Sequence, residues 1–139
     1  MFLLDTNIVS ELRRRQGPDP RVLAWSQSQP LDSLFLSVVS ILEVEQGILL
    51  VGRRDEGQAA MLRRWLHTQL LPRFEGRILT FDIAAALRCA TLHVPDPRPD
   101  RDSMIAATAL VHGLTVATRN TKDFEGCGVP VLNPWLHGA

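Results

Sequence analysis

Short apolar runs alternate with longer segments of helical periodicity along the whole sequence. The runs have the length of strands, and they occupy residues 2–4, 34–37, 78–81, 114–118 and 129–132. The order of elements that this predicts is β-α-α-β-α-α-β-α-α-β-β. Strands that are separated by helices pair in parallel and are covered by helices on both faces. We therefore expect an α/β fold, with residues 1–139 forming one domain around a mostly parallel central sheet.

Prolines and small polar residues set the expected ends of the helices. Pro72 is expected to stop a long helix over residues 56–71, since proline lacks the N–H group that a helix needs. Ser40 and Glu43 have the spacing of a capping box, in which each side chain bonds a free backbone N–H at a helix start. Thr6 or Asn7 is the expected cap of the first helix.

The composition is that of an ordinary globular protein. Apolar residues make up 45% of the 139 residues and charged residues 22%, so disorder of the whole chain is not expected. The net charge is zero and the sequence pI is about 6.9, so charge alone does not indicate nucleic-acid binding. The sequence has no apolar stretch that predicts a membrane span and no signal-peptide pattern, so we expect a cytoplasmic protein.

Acidic residues follow the expected strands. Asp5 comes directly after the apolar run Phe2–Leu4, and Glu43 lies on the helix that follows the run 34–37. Asp102 opens a helix of small and apolar residues. Each could simply cap a helix. The carboxyl ends of parallel strands share one edge of the sheet, however, and ligands bind there. The expected position of these residues therefore favours the alternative to capping, in which they form one common site.

Two further polar residues follow the strand over residues 114–118. Asn120 and Asp123 fall at its carboxyl end, so they are expected at the same edge of the sheet. Glu45 lies two residues beyond Glu43 and points to a different face of the helix, so we exclude it from the site.

Clustered carboxylates need a cation. Two unit charges that are 4 Å apart repel by about 4 kcal/mol at an effective dielectric constant near 20. Oxygen ligands without histidine or thiolate partners indicate Mg²⁺, with Mn²⁺ as a second possibility. Such an ion suits the hydrolysis of a phosphodiester, because it activates water and neutralises charge on the phosphate.

Several motifs together resemble the PIN domain. They are LLDTN-x-x-SE at the start, S-x-x-x-x-x-E at residues 37–43, DSMIAATA at 102–109 and ATRNTKDF at 117–124. The segment PRFEGRILTFD at 72–82 and the sequence LNPW at 132–135 are similar to the VapC/FitB-type toxins of bacterial type II toxin–antitoxin systems. The resemblance covers nearly the whole chain.

The resemblance implies a metal-dependent ribonuclease that cleaves RNA phosphodiester bonds. The metal ligands of the family fall on Asp5, Glu43 and Asp102. The fourth position of the catalytic set falls on Asn120 or Asp123, and Asn120 stands where some relatives have aspartate. Its lack of charge casts doubt on a second metal ion more than on activity. Thr6 and Thr118 are expected to hold the ligands by hydrogen bonds.

The resemblance also implies protein partners. These are a DNA-binding antitoxin of the VapB/FitA kind and a second copy of the chain in a homodimer, with a larger complex on operator DNA. An apolar stripe at Leu62, Trp65, Leu66 and Leu70 has two interpretations, as part of the antitoxin groove or as core. The alternative function is a weakly active or inactive protein that acts mainly as a binding partner in the antitoxin–operator complex. A metal-dependent phosphatase is a third and weaker interpretation.

Overall fold

The centre of the molecule is a parallel β-sheet. The computed structural model describes residues 1–138, and within them the sheet has five strands in the order β3-β2-β1-β4-β5. Every neighbouring pair is parallel. The strands are β1 (Phe2–Leu4), β2 (Leu34–Ser37), β3 (Ile78–Leu79), β4 (Thr115–Ala117) and β5 (Val131–Leu132). The expected α/β fold is confirmed.

Helices connect the strands and cover both faces of the sheet. They are α1 (Thr6–Leu12), α2 (Pro20–Ser28), α3 (Val38–Gly52), α4 (Glu56–Trp65), α5 (Leu71–Arg73), α6 (Ile83–Leu92) and α7 (Asp100–His112). A π-helical turn over Leu66–Leu70 joins α4 to α5. Short 3₁₀ turns lie at Leu31–Ser33, Thr121–Phe124 and Pro134–Leu136. Within residues 1–138, no helix has both the length and the apolar character that a membrane crossing requires.

The core is divided by the sheet into two layers. Leu3 and Leu4 are both buried, and because side chains alternate along a strand they enter opposite layers. Leu4 packs in the layer that contains Trp25, and Leu3 in the layer that contains Ile105 of α7. Burial on both faces of β1 fixes the position of the residue that follows it, Asp5.

The strand β1 also marks a change of direction in the sheet. The chain adds β2 and then β3 on one side of β1, and it places β4 on the other side. The connections therefore leave β1 and β4 in opposite directions, which opens a crevice at their carboxyl ends. Open α/β sheets bind their ligands in such crevices.

Some helix ends differ from those expected. The helix does not stop before Pro72 but continues through it to Arg73. The wider π-helical turn that precedes Pro72 relieves the clash between proline and the preceding turn. The prediction of a capping box at Ser40 is wrong, because the cap of α3 lies three residues before Ser40. Ser37 is its cap and accepts a hydrogen bond from the N–H of Val39 at 3.0 Å.

Candidate active site

Asp5 lies at the carboxyl end of β1, where only 7% of the residue is exposed. Its Oδ1 accepts a hydrogen bond from the N–H of Thr6 at 2.8 Å, so Asp5, and not Thr6 or Asn7, caps α1. Its Oδ2 accepts from Oγ1 of Thr118 at 2.8 Å and from Nδ2 of Asn7 at 3.4 Å. One oxygen therefore serves the helix, while the other belongs to a polar network with β4. The capping role and the site role are compatible.

Glu43 lies in the second turn of α3 and is held at both of its oxygens. Oγ1 of Thr6 donates a hydrogen bond to Oε1 of Glu43 at 2.8 Å, and the same hydroxyl lies 3.0 Å from Oγ of Ser40. Oε2 of Glu43 lies 3.8 Å from Nη1 of Arg101. Glu43 is thus linked to the residue that follows Asp5. By contrast, Glu45 pairs with Arg63 on the surface at 3.6 Å.

Asp102 lies in the first turn of α7 and caps nothing. The helix begins at Asp100, two residues earlier than expected, and Pro99 is its cap position, without a side-chain hydrogen bond. The alternative that Asp102 is simply a helix cap is therefore wrong. Its neighbours Ala106 and Ala107 are fully buried, which packs α7 closely against the molecule.

Asn120 and Asp123 belong to the turn that follows β4. The backbone N–H of Asn120 donates to Oγ1 of Thr118 at 3.0 Å, and its carbonyl accepts from the N–H of Asp123 at 3.0 Å. Both side chains are exposed. The turn therefore bonds to the same hydroxyl that holds Asp5.

Burial and neighbouring charges both act on Asp5. Burial raises the pKa of Asp5 above its ordinary value, and the hydrogen bonds from Thr118 and Thr6 oppose that rise. The negative charges of Glu43 and Asp123 raise the pKa further. The network of donors around Asp5 therefore favours the ionised carboxylate against the effect of burial.

Asp102 responds to the same charges. Burial is the main cause that raises the pKa of Asp102 to about 6, and the charges of Asp5, Asp123 and Glu43 add to it. Charges from three other segments of the chain thus act on Asp102. Asp123 contributes to this electrostatic coupling, whereas the uncharged Asn120 does not.

The acidic residues do not form a closed ligand set. Within residues 1–138, no three His, Cys, Asp or Glu side chains lie close enough together to hold a metal ion. The two carboxylate oxygens of Glu43 instead contact Thr6 and Arg101. The donor chemistry nevertheless fits a hard cation, because the side chains offer carboxylate oxygens whose mutual repulsion a cation would remove.

Three residues of this network were not expected from the sequence as parts of the site. Asn7 donates to both Asp5 and Thr118, Ser40 contacts Thr6, and Arg101 pairs with Glu43. Each is one to three positions from an expected acidic residue in the sequence. The spacing i, i+3 on a helix could have indicated Ser40. Which rotamer Arg101 adopts was not predictable from sequence.

The apolar stripe over α4 and the π-helical turn belongs mainly to the core. Leu66 and Leu70 are buried, and Leu62 and Trp65 pack against the same layer. Trp65 and Leu70 also line an open cleft of about 600 Å³ that runs toward α1 and α2. Arg13 and Arg73 line the same cleft. Both interpretations of the stripe therefore have support, and the acidic residues lie outside this cleft.

Comparison with known proteins identifies the family. The PIN domain family matches residues 2–126. The plasmid stability protein StbB of Pseudomonas syringae pv. tomato is 42% identical, with 97% of this chain and 99% of the relative covered. Toxin FitB of Neisseria gonorrhoeae is 41% identical, with 97% of this chain and 99% of the relative covered. VapC ribonuclease Y4jK of Sinorhizobium fredii is 37% identical, covering 97% and 98%.

The fold agrees with the sequence comparison. The crystal structure of FitAcB from Neisseria gonorrhoeae contains a chain that is 39% identical, with a TM-score of 0.89. The match covers 98% of this chain and 99% of that one. The strand β5 lies beyond the matched residues 2–126 but pairs with β4, so the sheet of the domain extends to it. This chain belongs to the PIN domain family.

Proposed function

We propose that this protein is the toxin of a type II toxin–antitoxin system and acts as a metal-dependent ribonuclease. The observation that carries the proposal is the hydrogen-bonded arrangement at the carboxyl edge of the sheet, in which Thr118 holds Asp5 and Thr6 holds Glu43, with Asp102 in the first turn of α7. Relatives named VapC ribonuclease and Toxin FitB, aligned over almost their full length, support it. The proposed domain is the whole chain, residues 1–139.

The proposed cofactor is Mg²⁺, with Mn²⁺ as a substitute. Asp5 and Asp102 are the proposed ligands that need a cation most, since both have a raised pKa caused in part by neighbouring carboxylates. Glu43 is the third proposed ligand. The bound ion would supply a Lewis acid for the phosphate and a lower pKa for an attacking water. Asn120 and Asp123 complete the proposed catalytic set on the β4 side.

The residues around the ligands have a positioning role in this proposal. Thr118 and Asn7 hold Oδ2 of Asp5, and Thr6 holds Oε1 of Glu43. Such hydrogen bonds fix the orientation of a carboxylate and keep it ionised despite its burial. Because these donors come from α1 and β4, the orientation of the site depends on the central crevice of the sheet.

The proposed partners are a DNA-binding antitoxin, an RNA substrate and a second copy of this chain. Relatives solved as complexes support the first, including FitAB bound to a fragment of IR36 DNA, whose matching chain is 37% identical. We propose that the cleft lined by Trp65 and Leu70 takes up an antitoxin segment, because it is open to solvent and its walls combine apolar side chains with the polar Arg13 and Arg73. The proposed location is the cytoplasm, where RNA and the antitoxin meet.

One alternative has specific support. Asn120 stands where a fourth charge is expected, and no three potential ligands converge within residues 1–138. These observations favour a weakly active protein that serves mainly as a partner in an antitoxin–operator complex. The toxin proposal and this alternative differ in what the isolated chain does to RNA.

Growth and cleavage assays separate the two functions. Expression of the chain without its antitoxin is expected to stop growth, and the Asp5→Ala variant is expected to permit it. Purified protein is expected to cleave RNA with Mg²⁺ and not with EDTA. A folded wild-type protein that leaves both growth and RNA unchanged would contradict the toxin proposal and support the partner role.

A further inference from the structure

One arginine reaches the acidic site directly. Among the ion pairs within residues 1–138, only the pair of Arg101 and Glu43 involves a proposed metal ligand. Arg101 lies in the first turn of α7 and is the sequence neighbour of Asp102. Its backbone thus belongs to the segment of Asp102, while its guanidinium lies beside Glu43 of α3. Nothing in the proposed function so far uses this charge.

The pair is weak and open to solvent. Nη1 of Arg101 lies 3.8 Å from Oε2 of Glu43, which is longer than a hydrogen bond, and 42% of the arginine side chain is exposed. Exposed pairs of this kind contribute at most about 1 kcal/mol to stability. Arg101 can therefore exchange Glu43 for another anion at little cost.

An RNA substrate brings such an anion to the site. Each phosphate that approaches the carboxylates is repelled by them, so binding requires a cation close by. A guanidinium suits this role because its N–H groups match two oxygens of one phosphate. The other nearby arginine is engaged differently, since the guanidinium of Arg119 stacks over Trp135 at 5.2 Å.

We propose that Arg101 binds a phosphate of the RNA substrate beside the acidic site. The phosphate replaces Glu43 as the partner of the guanidinium, and Glu43 becomes free to act as a metal ligand. The inference rests on the proposed ribonuclease function and extends it, by naming a residue for substrate binding.

RNA binding without metal tests this role. The probe is a short fluorescein-labelled single-stranded RNA, titrated in EDTA with wild-type protein and with the R101A, R101K and R54A variants while its anisotropy is recorded. Arg54 is the matched control, because it is exposed and lies beyond the far end of α3, roughly 16 Å along the helix direction from Glu43.

The expected result is specific to Arg101. R101A should raise the Kd for RNA roughly tenfold at low salt, and the slope of log Kd against log salt should fall by about 0.7, which corresponds to one phosphate contact on a single strand. R101K should weaken binding less than R101A, because lysine keeps the positive charge. It should still weaken binding, because lysine lacks the paired N–H donors of the guanidinium. R54A should leave both Kd and slope at wild-type values.

Three outcomes would overturn the inference. The first is an unchanged Kd and slope in R101A, including the case in which its melting temperature falls, since a purely structural arginine would behave in that way. The second is an equal loss in R54A, which would indicate net charge alone. The third is wild-type protein that binds no RNA in EDTA, which would contradict the role of Arg101 but not the ribonuclease proposal, since that proposal is tested by cleavage with Mg²⁺. RNA that is bound through Arg101 but never cleaved would contradict the ribonuclease proposal alone.

Discussion

Oγ1 of Thr118 donates a hydrogen bond of 2.8 Å to Oδ2 of Asp5, and this bond joins the residues that directly follow β4 and β1, where the sheet changes direction. Thr118 is fully buried. The bond lowers the pKa of Asp5 against the effect of burial, so the hydroxyl helps to keep the central carboxylate ionised. Residues that are 113 positions apart in the sequence thus form one polar network.

Removal of that hydroxyl tests its role in the proposed active site. Thr118→Val keeps the shape of the side chain but leaves Oδ2 of Asp5 without its shortest hydrogen bond. We expect RNA cleavage to fall about tenfold and the free energy of unfolding to drop by about 1–2 kcal/mol. Thr118→Ser, which keeps the hydroxyl, is the control. Equal cleavage by the valine and serine variants would contradict the role.

Two glutamates on α3 form a matched pair for mutation. Glu43 contacts Thr6 and Arg101 at the site, whereas Glu45 pairs with Arg63 on the surface. Glu43→Gln should therefore reduce RNA cleavage at least about tenfold, since it removes a ligand charge. Glu45→Gln should leave the rate unchanged. Similar rates in the two variants would exclude a special role for Glu43.

The raised pKa of Asp102 predicts how stability depends on pH. The folded protein holds this carboxyl at a pKa of about 6, and the ordinary value is 3.8. Between these values the native state binds more protons than the unfolded chain, so this group's contribution to stability falls as pH rises. Asp102→Asn does not titrate. In EDTA, the wild type should therefore lose stability relative to the Asp102→Asn variant between pH 4 and pH 7. The melting temperature of the variant minus that of wild type should increase over this range.

Carboxyl groups that do not interact with Asp102 cancel in this difference, because they are common to both proteins. The repulsion of Asp102 by Asp5, Asp123 and Glu43 is part of what raises its pKa, so it belongs to the effect that is measured. A difference in melting temperature that stays constant, or that shrinks toward pH 7, would contradict the raised pKa of Asp102.

Metal addition gives a prediction that does not depend on catalysis. A cation that binds the native acidic cluster stabilises it by about 2.7 kcal/mol at a concentration of about 100 times its Kd. Mn²⁺ should therefore raise the melting temperature of wild type and of Glu45→Gln by similar amounts. It should raise that of Asp102→Asn much less. A shift that is the same in all three proteins would place the ion elsewhere.

Much of the fold was predictable because the sequence pattern is local. Burial on both faces of β1 makes Phe2–Leu4 a continuous apolar run. Gly113 ends α7 with a φ of 66°, a left-handed backbone conformation that glycine adopts easily. The stop before Pro72 was not predicted correctly. The π-helical turn that lets the helix continue depends on tertiary packing, which a single proline does not reveal.

The sequence indicated which polar residues lie at the carboxyl edge of the sheet, but not how their side chains are oriented there. The junctions after β1, β2 and β4 indicated Asp5, Glu43, Asn120 and Asp123, since parallel strands share one carboxyl edge. The choice of Asp5 as a helix cap and the turning of Glu43 toward Arg101 depend on side-chain rotamers. Periodicity carries no information about rotamers.

The most direct test of the proposed function is RNA cleavage by Asp5→Asn in the presence of Mg²⁺. Asparagine is as good a helix cap as aspartate, so the variant can keep the bond to the N–H of Thr6. It loses the negative charge and the Oδ2 acceptor of the bonds from Thr118 and Asn7. Circular dichroism should show a folded protein. Cleavage is expected to fall at least about 100-fold. A folded Asp5→Asn protein that cleaves RNA at the wild-type rate would contradict the proposed function.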